Sequence, residues 1–160
     1  MGSSAAAIGL VLALAGATTG AASADCAPGR VEFRDAGGPI ASFTAEIADT
    51  EALRETGLMF RAHLASGQAM LFTYDSPKHA WYWMKDTLIP LDMIFADASG
   101  RVTEVHTDAQ PHDETPIDGG AGVSFVLEIG GGLAGRLSIA PGAEMRSDRV
   151  EQDGAVWQCK

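Results

Sequence analysis

The sequence predicts a mainly β domain, an antiparallel sandwich or barrel with one short helix near residues 51–57. Three observations carry this expectation. Apolar and polar residues alternate in many short runs, the period of strands with one buried face. Gly, Pro, Asp and Ser separate the runs, and the 19 glycines and seven prolines are spread along the chain as turn-formers. No heptad pattern, internal repeat or low-complexity tract is present, which opposes a helical bundle.

Residues 31–35 and 40–47 alternate through Val31, Phe33, Phe43, Ala45 and Ile47, with Gly37-Gly38-Pro39 between them, a hairpin signal. Asp49 or Thr50 then offers an N-cap for a helix over 51–56 that stops at Gly57. Leu53 is its expected core contact, with Arg54 and Glu55 on its exposed face. Further strands are expected at 70–74, 81–85, 91–96, 102–107 and 123–129, with Ala98-Ser99-Gly100 turning a second hairpin. Gly130-Gly131-Gly132 ends the last of these. Residues 133–137 allow at most one or two helical turns before Pro141-Gly142 and a closing strand around Met145.

The first residues bear on where the domain works. Residues 5–17 form an apolar run with no charge before Asp25, too short to span a bilayer comfortably, and Ala22-Ser23-Ala24 supplies the small residues of a cleavage site. This predicts a signal peptide over 1–24 and a mature domain over 25–160, extracytoplasmic, whether periplasmic or secreted, that meets the membrane only during export. The n-region lacks Lys and Arg, so a retained anchor is the alternative, and it leaves the domain on the same side. Lipid modification of Cys26 is opposed by Asp25 before it. Cys26 and Cys159 are the two cysteines, so an oxidising compartment offers one pairing, between the ends of the mature chain; unpaired thiols or metal ligands are the alternatives.

The mature part is long enough for one domain and too short for two. It holds every charged residue and hence the formal net charge of −10, which opposes nucleic acid as a partner because phosphate binding needs clustered Lys and Arg. A small molecule or a cell-envelope component is the partner expected.

Three motifs then occur in order: Arg54-Glu55-Thr56-Gly57-Leu58-Met59-Phe60-Arg61, next Met70-Leu71-Phe72, and then the run from Trp83-Met84-Lys85-Asp86-Thr87 through Pro90-Leu91-Asp92-Met93-Ile94-Phe95. With Pro111, Val126-Leu127-Glu128 and the glycines that follow, this series resembles the bacterial and archaeal domain-of-unknown-function 192 family over roughly residues 45–148. The resemblance implies a compact, mainly β fold, often behind a signal peptide, and no established catalytic activity; no cofactor is expected. The family pattern usually has Asn-Thr after Trp-Met-Lys where this chain has Asp86-Thr87, so a hydrogen-bond donor is replaced by an acceptor.

Strand alternation places Trp81, Trp83 and Lys85 on one face and Tyr82, Met84 and Asp86 on the other. If the first face is open, an aromatic plane beside an ammonium suits a sugar ring or an anionic small molecule, with Asp86 and Thr87 supplying hydrogen bonds. If it is closed, Trp83 is core. Asp92 opens an otherwise apolar strand and needs solvent or a partner, for which Arg54 and Lys85 are candidates; a structural cap or salt bridge is the plainer reading. Glu128 stands among apolar residues in the same way, and a pair of carboxylates with Asp92 would serve acid–base work. Arg54, Trp83, Lys85, Asp86, Thr87, Asp92 and Glu128 are therefore the candidate ligand-binding residues.

His63, His79, His106 and His112 lack zinc spacing, and no metal ligand is assigned. Met59, Met70, Met84 and Met93 offer soft donors for Cu(I), against their ordinary use as core filling. Neither cysteine has a histidine beside it, no Gly-x-Ser-x-Gly elbow occurs, and the glycine triplet precedes no phosphate-loop lysine. The sequence thus favours a non-catalytic small-ligand binding or accessory domain, with carbohydrate as one ligand class. A hydrolase or lyase using Asp92 or Glu128 is the first alternative and a copper-binding protein the second.

Overall fold

The computed structural model describes Met1 and residues 26–159; the expected signal peptide and its cleavage point lie outside these. Nine strands and two short helices follow in the order β1 (Arg30–Asp35), β2 (Gly38–Ala48), α1 (Glu51–Thr56), β3 (Gln68–Lys78), β4 (Trp81–Tyr82), β5 (Leu91–Ala96), β6 (Val102–Ala109), β7 (Ile117–Asp118), β8 (Val123–Gly130), α2 (Leu133–Arg136) and β9 (Glu144–Arg146). Seven strands form one sheet, ordered β6-β5-β8-β3-β2-β1-β9, while β4 and β7 pair by themselves. The mainly β class is as the alternation predicts.

That sheet curls into a half-barrel whose two edges meet at one end. Arg101, before β6, bridges to Glu144 of β9, and Met145 N–H donates to Gly100 O (2.7 Å). Val102 N–H likewise donates to Ala143 O (2.8 Å). Gly100 has φ +86°, a backbone geometry that L side chains rarely adopt, and a Cβ there would strike Met145 O. The closure thus needs glycine.

One pairing departs from the antiparallel expectation. β2 and β3 run parallel, Thr44 opposite Gln68 through Ala48 opposite Phe72, because α1 and its flanking loops return the chain to the same end before β3 begins. Thr50 caps α1, its hydroxyl accepting from Leu53 N–H (3.3 Å), and Gly57 N–H closes the other end on Leu53 O (2.8 Å). Leu53, however, is 47% exposed and α1 has no buried residue, so the expected core contact is corrected. A six-residue helix on the surface has no room for a full apolar stripe. Leu58, just past the cap, makes the core contact instead.

The central strands β3, β5 and β8 are buried on both faces, which separates two apolar clusters. Phe33, Phe43, Leu71, Ile94, Leu127 and Met145 fill the concave side. Phe72, Met84, Met93, Phe95 and Val126 fill the other, under the β4–β7 flap. Cys26 and Cys159 are joined by a disulfide across a separation of 133 residues, their Cα atoms 5.7 Å apart.

Candidate functional site

A cleft of about 520 Å³ opens where α1, its following loop, the middle of β3 and the β4 turn converge on β8. Its lining includes six of the seven candidate residues: Arg54, Trp83, Lys85, Asp86, Thr87 and Glu128. The seventh is elsewhere. Along β5, Asp92 pairs with Ile129 whereas Met93 pairs with Glu128, so alternation turns the two carboxyl groups to opposite faces of the sheet. Asp92 is fully buried, yet neither Arg54 nor Lys85 is its partner: Oδ1 accepts from Asp108 N–H (2.7 Å) and Gly132 N–H (2.8 Å), and Oδ2 from Ala134 N–H (2.7 Å). It ties α2 and the end of β6 to β5.

Glu128 forms the cleft floor. Only 5% exposed, its carboxyl makes no hydrogen bond among the described residues, and burial alone pushes its pKa up to about 8. Beside it, the Tyr74 and Tyr82 hydroxyls lie 2.7 Å apart. Burial raises both phenols above their ordinary range, Tyr82 more strongly. Tyr82 is fixed by edge contacts with Phe72 (5.4 Å) and Phe95 (5.7 Å) from the cluster beneath. One shared hydrogen bond uses one phenolic proton and leaves the other to be donated.

Arg54 does not stay on the outer face of α1, as the helix alone suggested. Its guanidinium bends over the Tyr74 ring (5.4 Å), and Nη1 donates to Thr73 O (3.0 Å). No carboxylate pairs with it among the described residues. Its remaining donors are available at the cleft.

The rim is aromatic. Trp83 is 49% exposed and Trp81 57%, so the open arrangement holds. Lys85 Nζ lies over the Trp83 ring (5.2 Å), and Trp81 stacks on His79, which hydrogen-bonds Asp118 (2.6 Å). The expected strand over 81–85 is shorter, because β4 ends at Tyr82 and the chain turns. Met84 N–H donates to Asp113 O (2.8 Å), Thr87 N–H to Met84 O (3.1 Å), and Asp86 sits at φ +52°. Asp and Asn are the non-glycine residues best suited to that left-handed geometry, so the Asp86 that departs from the family pattern keeps the backbone role. Asp86 O accepts from Phe60 N–H (2.8 Å), joining the α1 loop to the turn across the cleft.

Tyr74 and Tyr82 were missed by the sequence reading, as was β7. A Tyr on each side of the β3–β4 connection was the available signal, since buried tyrosines seek partners for their hydroxyls. Among the described residues no group of three His, Cys, Asp or Glu is placed to hold a metal ion. Of the soft donors, Met70, Met84 and Met93 are buried in one apolar cluster, and Met59 lines the cleft. No described helix is long and apolar enough to cross a membrane.

Two solved structures resemble the chain. A protein of unknown function from Novosphingobium aromaticivorans DSM 12444 is 40% identical with a TM-score of 0.70, over 73% of this chain and 83% of that one. A protein from Sinorhizobium meliloti 1021, described as a proposed transcription regulator, is 36% identical with a TM-score of 0.71, over 76% of this chain and 95% of that one. No curated protein matches. The model of DUF192, described as an uncharacterised ACR, matches residues 32–147, which include every residue of the cleft, and the chain therefore belongs to the DUF192 family.

Proposed function

We propose that this protein is an extracytoplasmic, non-catalytic binding domain whose cleft takes a small polyhydroxylated ligand, with carbohydrate the leading class. The observation that carries the reading is the cleft itself: a half-exposed Trp83 for a ring to stack on, above a floor of Glu128, Tyr74 and Tyr82 with unused hydrogen-bonding capacity. Apolar walls with few convergent polar groups are the usual form of a small-molecule site. The uncharged apolar run before Asp25 and the Cys26–Cys159 disulfide support export. A net charge of −10 argues for a ligand other than nucleic acid, so the regulator description stays with the Sinorhizobium protein.

Tryptophan fluorescence titration against a panel of neutral and acidic oligosaccharides tests this. Saturable quenching is expected, and Trp83→Ala should weaken binding roughly tenfold or more, as loss of an aromatic anchor does. Absence of saturation with every saccharide would sink the reading.

A second reading has one observation in its favour. A carboxyl poised at about 8 matches what a general acid or base needs near neutral pH, so a hydrolase or lyase would use Glu128. Asp92 faces away with both oxygens occupied, leaving Glu128 without a carboxylate partner in that role. Turnover of any saccharide, lost in Glu128→Gln, would replace the binding reading by the catalytic one.

A further inference from the structure

We propose that the ligand is an anionic saccharide, a uronic-acid type, whose carboxylate is received by Arg54 and Lys85 while Glu128 donates a hydrogen bond to a ligand oxygen. This rests on the saccharide-binding reading and narrows it. Three features of the cleft point the same way.

First, the cations here have no anionic partner of their own. Arg54 spends one N–H on Thr73 O, and Lys85 rests on the Trp83 ring; neither pairs with a carboxylate among the described residues. A guanidinium with free donors at a partly buried wall suits a planar carboxylate. Second, the protein's own cations already lie on aromatic rings of the cleft, Arg54 and Lys78 on Tyr74 and Lys85 on one face of the half-exposed Trp83. A cationic ligand would be repelled by them, whereas an anionic one would not.

Third, Glu128 is a buried carboxyl aimed into the cleft without a hydrogen bond. No residue of the protein occupies its hydrogen-bonding positions, so they are open to a ligand in the cleft. The charged and titratable groups around it are Arg54 and Glu55 from α1, Tyr74 from β3, Tyr82 from β4, and Lys85 and Asp86 from the turn. β5 and β3 present Met93 and Met70 opposite it. Burial, which favours its neutral form at pH 7, makes the carboxyl a donor to the anionic ligand instead of a repelling charge.

The test is calorimetric titration of the disulfide-intact protein with trigalacturonate and with neutral maltotriose at pH 6 and pH 9. Trigalacturonate is expected to bind preferentially and about tenfold more weakly at pH 9, as Glu128 ionises. Glu128→Gln, which keeps a donor but does not titrate, should lose the pH slope. Arg54→Gln should remove the preference for the acidic trisaccharide, with circular dichroism confirming that both variants fold. Equal binding of both sugars, or a slope unchanged in Glu128→Gln, overturns the anionic proposal and leaves saccharide binding intact. Failure of both sugars to bind overturns the two readings together.

Discussion

Glu128 is the residue whose environment and chemistry disagree most. A carboxyl at home near 4.5 is held at about 8 by burial, so between those values the folded chain binds more protons than the unfolded one. Stability from this group is therefore full below the unfolded value and declines as pH rises, with the penalty complete only above the folded value. The span corresponds to a few kcal/mol. Glu128→Gln should flatten the decline: thermal midpoints of variant and wild type should diverge between pH 5 and pH 9, the variant being relatively more stable at the alkaline end. Parallel curves would mean that Glu128 ionises in the native state as freely as in the unfolded one. The sequence showed Glu128 as an acidic residue in an apolar strand, and that much of the site was legible. Its face was not separable from that of Asp92 by composition, since only strand pairing fixes that Glu128 meets Met93 and Asp92 meets Ile129.

At the scale of elements, local signals were read where local physics decides. The bounds of α1, its Thr50 cap and its Gly57 stop, and the strand over 91–96 all follow from short-range patterns. What failed depended on distant partners. The 81–85 run alternates like a strand, yet beyond Tyr82 it has no neighbouring strand to pair with and turns, so Tyr82 and Trp83 line one cleft although alternation separated them. The parallel β2–β3 pair is invisible for the same reason. Asp92 shows an element-scale role that a single residue performs. With three backbone N–H groups on its two oxygens, it anchors the first turn of α2 and the bulged end of β6 to β5. Asp92→Asn would turn an amide N–H₂ toward at least one of those N–H donors. Loss of roughly 2 to 4 kcal/mol is expected, read as a lowered denaturation midpoint, with saccharide affinity of the folded protein unchanged. An undiminished midpoint would show that the three bonds add nothing net.

For the whole molecule, the question is what keeps a half-barrel from opening at its seam. The edges touch through a few backbone bonds beside Gly100, and the C-terminal segment crosses that region. Val156 N–H donates to Ser99 O (3.0 Å), and the guanidinium groups of Arg34 (4.7 Å) and Arg146 (4.3 Å) both lie over the Trp157 ring, so the tail contacts β1 and β9. The Cys26–Cys159 disulfide then fastens that tail to the segment leading into β1, so the bond closes nearly the whole described chain into one loop. A loop of that length restricts the unfolded chain by roughly 4 to 5 kcal/mol in the chain-entropy account, with native-state effects subtracting from it. Reduction should therefore lower the thermal midpoint while the far-ultraviolet spectrum of the folded state persists, because the strand pairings do not pass through the bond. The cleft lies on other elements, so trigalacturonate affinity should survive reduction. Thiol labelling of protein recovered from outside the cytoplasm, with and without reductant, checks the premise: labelling is expected only after reduction. Free thiols in that protein would remove the clasp and with it one of the two supports for export.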